Sequence, residues 1–94
     1  IIEKKVENSI LFAGVVISRG AVVKNSVVMP NTIIGNNSIV NYAIIAENVI
    51  VGCDVTFKGG SPSEISVIGP EAVVPDGAVI PEKSRLSADD AEKL

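Results

Sequence analysis

Residues 31–40 read NTIIGNNSIV: two short aliphatic bursts, Ile33-Ile34 and Ile39-Val40, hinged on the polar corner Gly35-Asn36-Asn37. Each burst is too short for an ordinary strand, and the corner is too small to hold chemistry. The phrase makes sense as one unit of a repeat. Working outward from it, an aliphatic residue expected to point inward recurs every six positions, at Ile10, Val16, Val22, Val28, Ile34 and Val40. Small residues follow four positions later, at Gly14, Gly20, Ser26, Thr32 and Ser38. The spacing then slips by one to give Ile45 and Val51, partnered by Val49 and Val55, so the hexad starting at Val40 has five residues. Phe57 continues the series, and after an interruption at GGSPSEI it resumes at Ile68, Val74 and Ile80, with Ala72 and Ala78 as partners.

Hexapeptide periodicity of this kind predicts an all-β, single-stranded parallel β-helix, in which each repeat supplies one short strand and one corner. Three hexads close a triangular coil, so residues about 18 apart stack about 4.8 Å from one another. The predicted files are Ile10, Val28, Ile45 and Ile68 on the first wall, Val16, Ile34, Val51 and Val74 on the second, and Val22, Val40, Phe57 and Ile80 on the third. Each buried Val or Ile contributes roughly 1.5–3 kcal/mol, and only small side chains fit at the second inward position. Asn25, Asn31, Asn36, Asn37 and Asn48, with Gly35 and Gly52, mark the corners, because Asn and Gly accept left-handed backbone angles cheaply. The expected organisation is one domain over residues 1–94 with about four coils. Hexads cover 8–58 and 67–85, a loop covers 59–66 and a tail covers 86–94. The tail is read either as frayed or as a short helix, SADDAEKL, with Ser87 as N-cap and Asp89 and Asp90 at the positive end of the dipole.

Alternation along the strands names the outward residues as well. The first wall is expected to show Leu11, Val27, Met29, Ile44 and Val67, and the second Val15, Ile17, Ile33, Ile50 and Val73. The third is more polar, with Asn41, Thr56 and Lys58. Two outward aliphatic walls point to a contact with another surface, since apolar patches of that extent exceed what a monomer exposes. A flat wall that merely tolerates β-branched residues is the plainer alternative.

Composition bounds the function. The 94 residues are 47% hydrophobic yet hold only two Phe, one Tyr and no Trp, so the core must be Val and Ile, which favours β structure. The net charge is −3 and the eight Lys and Arg are scattered, which argues against a nucleic-acid groove. No apolar run approaches the roughly 20 residues that cross a bilayer, so no membrane partner is expected. Cys53 is the sole cysteine, which excludes an internal disulfide and suits a reducing, cytoplasmic setting. The chain starts at Ile1 inside a repeat, as expected of a piece of a longer polypeptide.

Histidine is absent. Hexapeptide acyltransferases use a His base, and carbonic anhydrases of this architecture use His ligands for zinc; neither route is open here. Cys53, at a corner and without an imidazole partner, is not an activated nucleophile. GGSPSE, residues 59–64, leads into a strand rather than a helix, so it is a projecting loop and not a phosphate cradle. Asn36-Asn37-Ser38 matches a glycosylation sequon, but Ser38 is expected to point inward. Arg19, Lys24, Lys58 and Arg85 could meet an anionic effector, with solvated surface charge as the default. No catalytic, cofactor-binding or metal-ligating residue is expected.

The phrases VENSILF, VVKNSVVMP and IIG within residues 6–35, and GGSPSEISVIGPEAVV later, resemble the C-terminal β-helix domain of glucose-1-phosphate adenylyltransferase (ADP-glucose pyrophosphorylase). The later stretch resembles the tail of the noncatalytic-type, glycogen-biosynthesis subunit more than that of the catalytic subunit. The resemblance implies a left-handed superhelix, a hand that spacing does not supply. It implies a parent enzyme that joins glucose 1-phosphate to ATP with release of pyrophosphate, using residues of an N-terminal α/β domain. For this chain it implies a regulatory and oligomerisation role, with packing against that catalytic domain and against partner subunits in a homo- or hetero-oligomer. Members that sense an activator carry basic residues just after the Leu-Phe pair; Ala13 and Gly14 stand there instead. The alternatives are the β-helix of another sugar-nucleotide pyrophosphorylase and, disfavoured by the absence of His, a hexapeptide-repeat acyltransferase.

Overall fold

The repeat folds because each hexad can hide one aliphatic pair but not its backbone, and only the next coil supplies the missing hydrogen bonds. The structure, a computed structural model, describes residues 4–94. Strand β1 (Lys5–Glu7) opens the chain, followed by a first coil of β2 (Ile10–Leu11), β3 (Val16–Ile17) and β4 (Val22–Lys24). The second coil holds β5 (Val27–Val28), β6 (Ile33–Ile34) and β7 (Ile39–Asn41). The third holds β8 (Ala43–Ile45), β9 (Ile50–Val51) and β10 (Thr56–Phe57). After a 3-10 turn at Pro62–Glu64, the fourth holds β11 (Ser66–Ile68), β12 (Val73–Val74) and β13 (Val79–Ile80). Strand β14 (Arg85–Leu86) and helix α1 (Ala88–Glu92) finish the molecule.

Every pairing is parallel and joins successive coils. The first wall is β2-β5-β8-β11-β14, the second β3-β6-β9-β12 and the third β1-β4-β7-β10-β13. The fold is therefore the expected all-β parallel solenoid, 34 × 24 × 24 Å. With a strand at each end beyond the four complete coils, it makes about five turns, where hexad counting expected about four.

From Val28 onward the predicted inward residues Val28, Ile34, Val40, Ile45, Val51, Phe57, Ile68, Val74 and Ile80 are all buried. Before it the register differs by one. Ile17 and Val23 are the buried members of their strands, while Ile10 and Val16 are 60% and 50% exposed. Leu11 is level with Val28, Ile17 with Ile34 and Val23 with Val40. The inward residues are thus Leu11, Ile17 and Val23 rather than Ile10, Val16 and Val22. Leu11, Val15 and Ile17, expected outside, are on the inward side: Ile17 is 8% exposed, Val15 packs on the core, and Leu11 is level with the buried Val28 although the open first coil leaves it 38% exposed. The cause is a second five-residue unit, residues 23–27, which makes the lower coils 17 residues long. Doublets such as Val22-Val23 carry an aliphatic on both faces, so alternation does not reveal which one is inside.

The second inward positions do more than fit. Ser38 Oγ donates to Gly52 O (2.6 Å) and accepts from Val55 N (3.0 Å), while Thr32 Oγ1 donates to Ala46 O (2.7 Å) and accepts from Val49 N (3.2 Å). Ser66 bridges to the next coil in the same manner, and Ser26 Oγ joins the Lys24 carbonyl of its own corner to Ala43 N of the next coil. These hydroxyls pair the backbone groups that the corners leave over, and no buried side-chain N or O among the described residues lacks a partner.

Corner residues with positive φ also stack. Gly14, Asn31, Asn48 and Glu71 form one column, and Gly20, Asn37, Asp54 and Gly77 another. Gly14 and Gly20 are therefore corner residues, and Val15 and Ala21 take the inward places predicted for them. Gly35 and Gly52 have no positive φ; they serve close approach. A Cβ on Gly35 would lie 2.5 Å from the Gly52 carbonyl carbon and 2.9 Å from Cys53 N.

Candidate interaction surface

Three outward faces result. On the second wall Val16, Ile33, Ile50 and Val73 lie in register from coil to coil. They are 50, 40, 47 and 47% exposed, a continuous aliphatic file. On the first wall Ile10, Val27, Ile44, Val67 and Arg85 are level with one another. Val27, Ile44 and Val67 there are half-buried, as is Met29 at the following corner. On the third wall Glu7 lies 3.6 Å from both Lys5 and Lys24, and Asn41 continues that row. This wall is the more polar one, although Ile39 and Val79 are exposed on it.

Of the ten residues expected at an interface, Val27, Met29, Ile33, Ile44, Ile50, Val67 and Val73 fall outside the prism. Leu11, Val15 and Ile17 do not, and Val16 and Ile10 take their place.

The cations are not gathered. Arg19 lies at the corner after the second wall, Lys24 and Lys58 border the third, and Arg85 is on the first. Cys53 is a free, half-buried thiol whose backbone N–H donates to Asp76 Oδ1 (2.8 Å). Among the described residues no group of three or more His, Cys, Asp or Glu is placed to hold a metal. Among the described residues no helix is long and apolar enough to cross a membrane. The loop is held from within: Gly60 N donates to Glu64 Oε1 (3.0 Å), and Lys83 N donates to the Glu64 carbonyl (3.2 Å).

A family model described as GMPPB C-terminal domain matches residues 4–88. The chain belongs to this family. A GMPPB-type domain is the C-terminal part of a sugar-nucleotide pyrophosphorylase, within the nucleotidyltransferases. A search of curated proteins found no match.

Proposed function

We propose that this GMPPB-type domain is the regulatory and oligomerisation domain of a sugar-nucleotide pyrophosphorylase, docking its outward walls on a nucleotidyltransferase domain and on partner subunits. The observation that carries the reading is the exposed aliphatic file of the second wall, which water does not solvate favourably and which a second surface would cover. Two parents compete. The phrases NSILF and NSVVMP favour an enzyme that forms ADP-glucose for glycogen, whereas the matched family model favours another sugar-nucleotide pyrophosphorylase. A reducing, cytoplasmic setting suits either, given the unpaired Cys53 thiol.

The parent protein, offered glucose 1-phosphate or other sugar 1-phosphates with each nucleoside triphosphate, should release pyrophosphate with one matched pair. ADP-glucose as product selects the first parent, and any other sugar nucleotide selects the second. In that protein the double change Met29→Lys with Ile33→Lys should loosen assembly. Unaltered oligomer state and domain binding would remove the docking reading.

A further inference from the structure

The second wall has a symmetry of its own. From the first coil to the fourth its aliphatic file runs Val16, Ile33, Ile50, Val73, which reads the same in both directions. Beside it run Ser18, Gly35, Gly52 and Pro75, small and uncharged, so the face is flat and carries no charge of its own. The corner that follows stacks Arg19, Asn36, Cys53 and Asp76, as shown by Asn37 N donating to Arg19 O (3.0 Å), Asp54 N to Asn36 O (2.9 Å) and Gly77 N to Cys53 O (2.8 Å). One end of this rim is therefore positive, at Arg19, and the other negative, at Asp54 and Asp76. The rim before the wall is neutral at Ala13-Gly14 and Pro30-Asn31 and negative at Glu47 and Glu71. Arg19 has no ion-pair partner among the described residues.

We infer that this wall pairs with the same wall of a second copy, the two solenoid axes antiparallel, about a two-fold axis parallel to the strands between Ile33 and Ile50. Val16 then meets Val73 of the partner subunit, Ile33 meets Ile50 of the partner subunit, and each Arg19 faces Asp76 of the partner subunit. The self-complementary patch is what an isologous contact requires. The parallel arrangement is disfavoured, because it sets Asp54 and Asp76 against Glu47 and Glu71 of the other copy, and opposed like charges are costly. The pairing deepens the proposed assembly role and rests on it.

Analytical ultracentrifugation of the 94-residue chain tests it, with circular dichroism as the check on folding. The wild type should sediment as a dimer, and Ile33→Lys with Ile50→Lys as a folded monomer. Arg19→Asp should weaken the dimer by about tenfold or more. An equal mixture of Arg19→Asp and Asp76→Arg chains should form a heterodimer, since both rim contacts become attractive again. A wild type that stays monomeric at every concentration overturns the inference, as does a dimer that survives the double lysine change. Because Asp76 also accepts the Cys53 N–H, Asp76→Arg could unfold; Arg19→Asp alone, no weaker than wild type at low salt, then suffices to overturn the antiparallel geometry. A monomeric chain whose parent still assembles sinks this pairing and leaves the proposed function standing.

Discussion

At the residue scale, the interior tolerates neither charge nor bulk, and the reasons differ by position. Ile34 is fully buried among apolar neighbours of the coils above and below. Ile34→Asp places an unpaired charge there and should abolish the cooperative thermal transition. Gly35→Ala drives a methyl group into the Gly52 carbonyl, and overpacking of this kind costs about 1–3 kcal/mol, to be read as a lowered denaturation midpoint. Ser38→Ala is the converse. It leaves the buried Val55 N–H and the Gly52 carbonyl without their shared hydroxyl, for a loss of roughly 1–3 kcal/mol in urea unfolding. Nothing in the one-dimensional pattern separates these cases. Gly35 looks like a turn glycine beside Asn36, and Ser38 looks like a space-filler; both act through the neighbouring coil.

At the scale of elements, the terminal helix closes the upper end of the prism. Ser87 accepts from Asp90 N (3.2 Å) and Asp90 Oδ2 accepts from Ser87 N (3.2 Å), a reciprocal cap of the kind expected at that Ser. The Ala91 side chain is buried, and the helix packs on β12 and β14. The hydrogen bond from the Ser87 backbone, and then that from its hydroxyl, hold the Asp90 carboxyl below its ordinary value of 3.8. The folded-state value is the depressed one, so the cap's contribution is complete above pH 3.8 and disappears as pH falls through the folded value. Asp90→Asn should flatten that acid limb in pH-dependent melting curves. The cap at Ser87 was legible, because Ser and Asp at that spacing satisfy free N–H groups locally, but whether the tail would fray or form a helix was not. The register of β2, β3 and β4 was not, because Ile10-Leu11, Val16-Ile17 and Val22-Val23 each offer an aliphatic to both faces.

At the scale of the molecule, the solenoid is stabilised coil by coil, and its two ends are unequal. The upper end lies under α1, whereas at the lower end the inward side chains Val6 and Leu11 remain 42% and 38% exposed. Local opening in a stacked array begins where the fewest neighbours are lost. Native-state hydrogen exchange should therefore find the slowest amides in β6 to β9 and the fastest strand amides in β1 and β2. Equal protection at both ends would contradict the coil-by-coil account.

The period of six by itself determined the architecture, the aliphatic core from Val28 onward and the break at GGSPSEI, because each of these rests on contacts whose spacing recurs along the chain; the cap at Ser87 was marked locally, by Ser and the acids that follow it. Only the tertiary structure decided the inward side of the first coil, the close approach that requires Gly35 and Gly52, and the left-handed backbone at Tyr42, Asp54, Glu71 and Lys83. Each of these is set by what lies one coil away. A residue's own neighbours in sequence do not record whether the next coil begins 17 or 18 residues later.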